Sequence, residues 1–284
     1  MATKPSNPEQ DPTDAGEPGA PFARPQPARL VDVPLRKGVY ILPNLITTGG
    51  LFCGFYSVIA SLRGDLLIAA IAIMAANVFD VLDGRIARLT KTTSRFGIEY
   101  DSLCDLVAFG VAPGILIYRW GLEPWGTFGW LAASLYVTAG ALRLARFNVL
   151  SDAGQKSHFL GLPIPAAAEV IASTVMLYYF FGAEGPTYRH LIVLLMVYAL
   201  AGLMVSNVRY FSFKEIDLYH RQPFWVLIAG ILILKLLIAE PQVCLFAGFF
   251  LYAVSGPARS LWISARRLLR RAGKRRLDSA AALL

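Results

Sequence analysis

Charge is scarce in this chain. Asp, Glu, Lys and Arg make up 16% of its 284 residues, against about 25% in a soluble globular domain. Its 56% of hydrophobic residues exceeds the roughly 45–50% of that class, so a water-soluble fold is excluded. Histidine and cysteine are rare too. His158, His190 and His220 stand apart from the acidic clusters, and Cys53, Cys104 and Cys244 each lie in an apolar run without metal-ligand spacing. Zinc and copper centres, which favour such ligands, are therefore disfavoured, and the cysteines are expected to be buried free thiols. No GxxxxGK[ST] loop occurs, which argues against Walker-type nucleotide hydrolysis. Residues 1–28 lack an apolar stretch and are expected to form a disordered tail. Glu9, Asp11, Asp14 and Glu17 fit neither a secretory signal nor an acid-poor mitochondrial presequence, so the tail is expected to start, and stay, in the cytoplasm.

Apolar runs are abundant from residue 41 onward. Eight helices are expected, at 41–61, 66–89, 98–118, 127–148, 165–183, 190–207, 223–239 and 241–258. An even number puts both termini on one side. Segments facing that side carry Arg85, Arg88, Lys91 and Arg95, then Arg143, Arg146 and Lys156, then Arg209, Lys214 and Arg221, and a basic C-terminus. The opposite connections hold only Arg63, Arg119 and Arg189. The positive-inside rule therefore predicts cytoplasmic termini. The expected fold is all-α, a polytopic helix bundle over residues 29–258 in the cell's inner membrane. The net charge of +8 follows from this topology and requires no nucleic acid. Residues 259–284 form a basic tail. At helical spacing Leu261, Ala265, Leu268, Leu269 and Ala272 make an apolar stripe beside Arg266, Arg267, Arg270, Arg271 and Lys274. That pattern suits a helix on an anionic leaflet; a solvated basic terminus is the alternative. Residues 29–41 are expected to run along the interface.

Charges inside apolar helices cost about 2.5–3.5 kcal/mol each on insertion scales, so Asp80, Asp83, Asp101 and Asp105 stand out. The first two are three apart near the end of the second span, and the others four apart at the start of the third. Each pair shares a helix face, and the short turn between the helices lets both pairs converge near the cytoplasmic surface. Carboxylates so close would repel unless a cation joined them. An all-oxygen set favours Mg²⁺ or Mn²⁺, with Ca²⁺ also compatible. Two such ions suit the holding of a diphosphate. Gly84 and Ala87 follow Asp80 at i+4 and i+7 and leave room for a bulky group, Gly97 clears space on the third helix, and Arg88 is placed to fork a phosphate.

The pattern Asp80-x2-Asp83-Gly84-x2-Ala87-Arg88-x8-Gly97-x3-Asp101-x3-Asp105 resembles the complete signature of the CDP-alcohol phosphotransferase family. The resemblance implies a six-helix catalytic core, here with two further helices. It also implies a cytoplasm-facing cavity, two divalent ions and a homodimer. It makes Asp80, Asp83, Asp101 and Asp105 metal ligands, Asp105 also the catalytic general base, and Gly84, Ala87 and Arg88 the lining of the cytidine diphosphate pocket.

Flanking segments narrow the expectation. Leu42-Pro43-Asn44-Leu45-Ile46-Thr47-Thr48-Gly49-Gly50, Arg143-Leu144-Ala145-Arg146-Phe147-Asn148, Gly161-Leu162-Pro163-Ile164-Pro165 and Arg209-Tyr210-x-Ser212-x-Lys214 resemble bacterial integral-membrane phosphatidylserine synthases. That subgroup implies CDP-diacylglycerol as donor and L-serine as acceptor. Glycerol 3-phosphate, inositol phosphate and choline are the rival acceptors, and a divalent-cation transporter is the rival outside enzymes. Arg143 and Arg146 read either as anchors at a helix end or as ligands for an anion. Asn44 and Thr47 read as a helix start with its polar cap. Glu169 is expected as a satisfied acid between helices, and the Gly-Leu-Pro-Ile-Pro run as the break before the fifth span.

Overall fold

The computed structural model describes residues 41–90, 94–152, 161–187, 190–208, 210 and 223–281. The expected disordered tail, the interfacial stretch before residue 41, Lys91, Lys156, His158, Arg189, and Arg209 with Ser212, Lys214 and Arg221 lie outside those residues. So do the side chains of the proposed C-terminal apolar stripe.

Among the described residues every regular element is helical. They are α1 (Ile41–Arg63), α2 (Leu66–Thr90), α3 (Arg95–Asp105), α4 (Ala112–Ile117), α5 (Thr127–Asp152), α6 (Ile164–Phe180), α7 (Leu191–Val205), α8 (Pro223–Ala239) and α9 (Pro241–Ala281). Two π turns, Leu106–Val111 and Tyr118–Leu122, and a 3-10 turn at Glu123–Trp125 join α3 and α4 into one rod over Arg95–Trp125. This rod, α1, α2, α5 and the first part of α9 are five helices long and apolar enough to cross a bilayer, while α6, α7 and Gly230–Ala239 are shorter apolar helices. Phe52, Leu89, Ile192 and Ile238 are all more than two-thirds exposed. Large apolar side chains facing outward at this density mark an integral membrane protein, whose helices need no polar coat where lipid surrounds them.

Small residues set the packing around the site. α1 pairs along α2 and also lies against α3 and the π turn after it. At the crossing, a Cβ on Gly54 would come within 2.6 Å of the Ala108 Cα, so only glycine admits this approach. α6 packs between α2 and α9, and α5 against α7. Glu169 on α6 is 1% exposed, beside Asn77 of α2 and Tyr136 of α5.

Sequence rules account for most ends. Ser94 is extended (φ −116°, ψ 154°) and its hydroxyl accepts from the Gly97 N–H at 2.9 Å, capping α3. Pro163 and Pro165 flank the start of α6, as expected of the break there. Gly161 has φ +80°, and a Cβ on it would meet the Met204 carbonyl oxygen at 2.4 Å. Its N–H bonds the Val208 carbonyl, stitching the α6 entrance to the end of α7. Two features differ from expectation. The third rod runs beyond the expected 98–118, because Gly121 and Pro124 fall in a π turn and a 3-10 turn that continue it rather than end it. The last helix continues without a break through Pro257 to Ala281, past the expected end of the span at 258. Pro257 cannot donate to Ala253 one turn back. The Tyr210 hydroxyl takes that place, donating to the Ala253 carbonyl at 3.0 Å.

Candidate active site

The site forms where α2 ends and α3 begins, with the first turns of α1 closing one side. Asp80 and Asp83 come from the cytoplasm-predicted end of α2, and Asp101 and Asp105 from the facing end of the third rod. One carboxylate oxygen from each of Asp80, Asp101 and Asp105 lies within 4.8 Å of the others. Asp83 is 6% exposed and shares the small space of about 10 Å³ that the other three line with Thr47, Gly50, Cys104 and Phe109. All four predicted acids thus meet.

The cluster is short of partners. Asp83 Oδ2 and Asp101 Oδ1 are buried without a hydrogen-bond partner. Leaving such an oxygen unpaired costs about 1–3 kcal/mol or more. Arg143 of α5, 8% exposed and with an unpartnered Nε, lies close enough to Asp105 for their charges to interact. One guanidinium does not balance four carboxylates. Three carboxylates with oxygens within 4.8 Å of one another, and a fourth beside them with an orphaned oxygen, fit hard divalent cations. Asp80, Asp83, Asp101 and Asp105 are the residues that could hold them.

Beside the acids a cleft of about 190 Å³ is lined by Pro43, Asn44, Thr47, Asp83, Gly84, Ala87, Arg88, Ser94, Gly97, Ile98 and Asp101. That is less than the roughly 300–1,000 Å³ of pockets that enclose a whole ligand, so the cleft has room for part of one. Gly84, Ala87 and Arg88 lie together here. Arg88 Nε donates to the Gly84 carbonyl at 2.7 Å, which folds the guanidinium over the cleft wall. Asn44 and Thr47 were expected as a helix start. They lie inside α1 on the cleft wall instead, with the Thr47 hydroxyl donating to the Pro43 carbonyl at 3.1 Å and lying close to Asp83.

The two arginines of α5 part company. Arg143 faces Asp105 and Tyr252 of α9. Arg146 donates to the Val205 carbonyl at 3.1 Å, Asn207 Oδ1 at 3.3 Å and the Ser206 carbonyl at 3.4 Å. It thereby satisfies the C-terminal end of α7, where a cation also suits the helix dipole. Sequence reasoning missed Ser94, Tyr252, and the cross-helix set in which Asn148 Nδ2 donates to Ser102 Oγ at 3.0 Å and Glu99 Oε2 at 3.5 Å. Only Ser94 had a local signal, its place three residues before Gly97.

The sequence model of the CDP-alcohol phosphatidyltransferase family matches residues 40–206, which span α1 to α7 and contain every acid of the site. The chain belongs to this family. A CDP-diacylglycerol–serine O-phosphatidyltransferase of Helicobacter pylori (strain ATCC 700392 / 26695) is 37% identical over 228 residues, 79% of this chain and 93% of that one. An archaetidylserine synthase of Methanothermobacter thermautotrophicus is 39% identical over 60% of this chain and 69% of its own. A CDP-diacylglycerol–serine O-phosphatidyltransferase of Saccharomyces cerevisiae is 38% identical over 46% of this chain and 51% of its own. In this phosphatidyltransferase the family match ends at residue 206, so α8 and α9 lie beyond it.

Proposed function

We propose that this chain is a CDP-diacylglycerol–serine O-phosphatidyltransferase, which moves the phosphatidyl group of CDP-diacylglycerol to the hydroxyl of L-serine and yields phosphatidylserine and CMP. The observation that carries the reading is the convergence of four carboxylates beside the Gly84–Ala87–Arg88 cleft. The sequence that builds it is similar, over most of both chains, to an enzyme named for this reaction.

In this reading the five long and three shorter helices each cross the inner membrane once. Both termini and the site face the cytoplasm, and a second copy completes a homodimer. The donor's headgroup lies in the cleft with its acyl chains still in the bilayer. Gly84 and Ala87 leave it room, and Arg88 offers donors to the diphosphate. Two divalent ions, Mg²⁺ or Mn²⁺, held by Asp80, Asp83, Asp101 and Asp105, would offset the negative charge that develops on the diphosphate oxygens.

Asp105 takes the proton from the serine hydroxyl. The serine oxygen forms its bond to the phosphorus carrying diacylglycerol, the bond from that phosphorus to the CMP oxygen breaks, and CMP leaves with the electron pair. Arg143, buried beside Asp105, holds an anion there, either donor phosphate or serine carboxylate. Arg146, committed to the α7 end, supports that site without binding the anion itself. The basic end of α9 rests on anionic lipid.

Purified protein supplied with CDP-diacylglycerol, Mg²⁺ or Mn²⁺, and serine, glycerol 3-phosphate, inositol phosphate or choline in turn tests this directly. Serine is expected to release CMP and give a phosphatidylserine product. Release with another acceptor and none with serine would sink the assignment of acceptor, and no CMP with any of them would sink the transfer reaction.

A further inference from the structure

The third rod carries a proline in its buried interior. Pro113 is buried in α4. In an α-helix the N–H of residue 113 would bond the Phe109 carbonyl, but proline has no N–H and its ring crowds that oxygen. The helix widens instead to a π turn over Leu106–Val111, in which the Ala112 N–H reaches back to the Val107 carbonyl. This turn begins at the residue after Asp105. The Phe109 carbonyl finds its donor 27 residues on, where the Tyr136 hydroxyl of α5 donates to it at 3.0 Å. Tyr136 and Phe109 are both fully buried.

From these contacts we infer that Tyr136 is a positioning residue for the aspartate site, acting through the π turn on the direction of Asp105. A residue inserted into a helix rotates one side of it by about 100° relative to the other. The far side is locked, since Ala112, Leu116 and Ile117 are buried, and within the turn Ala108 is held against Gly54. The state of the turn therefore sets where Asp105 points on the near side, against Asp80 and Asp101. Without the Tyr136 hydroxyl, the Phe109 carbonyl loses the side-chain donor that it has here, and the turn rearranges. The same device recurs at Pro257, where Ala253 one turn back accepts from Tyr210. Twice among the described residues a tyrosine from another segment donates to the carbonyl one turn before a proline.

The inference rests on the aspartates binding divalent cation, as proposed above. The test uses full-length protein, with Mn²⁺ binding followed by the electron paramagnetic resonance of the free ion and kinetics by CMP release. Tyr136→Phe is expected to weaken Mn²⁺ binding about tenfold and lower kcat about tenfold, the size of effect seen when a supporting group behind a metal ligand is lost. The KM for CDP-diacylglycerol stays within about twofold, since the cleft is untouched. Pro113→Ala returns an N–H to the rod, so adding Tyr136→Phe to it changes Mn²⁺ binding by less than about twofold, a failure of additivity that reports the shared carbonyl. Wild-type Mn²⁺ affinity and kcat in Tyr136→Phe, or equal losses from it with and without Pro113→Ala, overturn the inference. If Tyr136→Phe alone does not assemble, the comparison of Pro113→Ala with the double variant decides, and a large loss there overturns it. Asp101→Asn separates the two readings. If wild-type protein binds no Mn²⁺, or Asp101→Asn binds it equally well, the metal reading falls and the tyrosine's role with it. Binding that Asp101→Asn weakens and Tyr136→Phe spares removes the tyrosine's role alone.

Discussion

Asp105→Asn keeps the side chain's size and removes its capacity to take a proton. Because the residue lies among three other acids and beside Arg143, the amide relieves repulsion and the fold is expected to persist. Turnover is expected to drop by about 10²–10⁴-fold, the usual contribution of a general base, while CDP-diacylglycerol still binds. CMP release and equilibrium binding of the donor check the two halves, and wild-type turnover would strip Asp105 of its role. Gly84 makes the complementary case. A Cβ added there meets nothing nearer than the Arg88 guanidinium at 3.9 Å, so Gly84→Val is expected to fold and to fill the cleft. Its KM for CDP-diacylglycerol should rise about tenfold or more, as expected when shape rather than chemistry is lost; an unchanged KM would place the headgroup elsewhere. At this scale the sequence was most readable. Intramembrane aspartates at i, i+3 and i, i+4 betray themselves because lipid tolerates them nowhere without cause. Ser102 and Glu99 were silent, and Asn148 entered only within the Arg143–Asn148 run, because each is an ordinary residue until the fold brings it to the others.

At the scale of elements, α5 shows how one helix serves two ends. Arg143 and Arg146 sit three apart and so point in similar directions, yet the first meets Asp105 and the second meets the terminal carbonyls of α7. Arg146→Met leaves those carbonyls short of donors and is expected to lower stability by about 1–3 kcal/mol, seen as a lower melting temperature in detergent. Arg143→Met is expected to reduce kcat/KM about tenfold or more with a smaller change in melting, as a lost charged contact to substrate would. If Arg143→Met melts early with kinetics intact and Arg146→Met does the reverse, the two roles are exchanged. The helix positions were legible from apolar runs and basic connections, and the α6 start from its prolines. The reach of the third rod was not. Gly121 and Pro124, just past the expected end, read as stops, and groups that hold the rod together come from distant sequence. Tyr136 bonds the Phe109 carbonyl, and the Trp120 carbonyl accepts the Thr187 N–H at 2.7 Å.

For the molecule as a whole, the question is which side of the membrane receives the acids. The basic residues cluster at the ends of α2 and α5 and along the tail, while the opposite connections carry Arg63, Arg119 and Arg189. Arg119 is already paired, its guanidinium 2.8 Å from Glu123, which weakens its pull further. Insertion follows this imbalance of lysine and arginine in short connections. Single cysteines placed at Asp65, in the α1–α2 connection, and at Ser94, at the site's rim, should therefore react oppositely with a membrane-impermeant maleimide in intact spheroplasts. Native thiols are a small background, since Cys104 is buried and Cys53 and Cys244 are half-buried. The residue-65 cysteine is expected to label from outside, and the residue-94 cysteine only after the membrane is opened. A C-terminal tag should be shielded like residue 94, because the eight crossings proposed above would return the chain to its starting side. Labelling of residue 94 from outside would turn the cleft away from the cytoplasm, where soluble serine is at hand. The same acids would then still bind metal, but the proposed reaction would lose its acceptor.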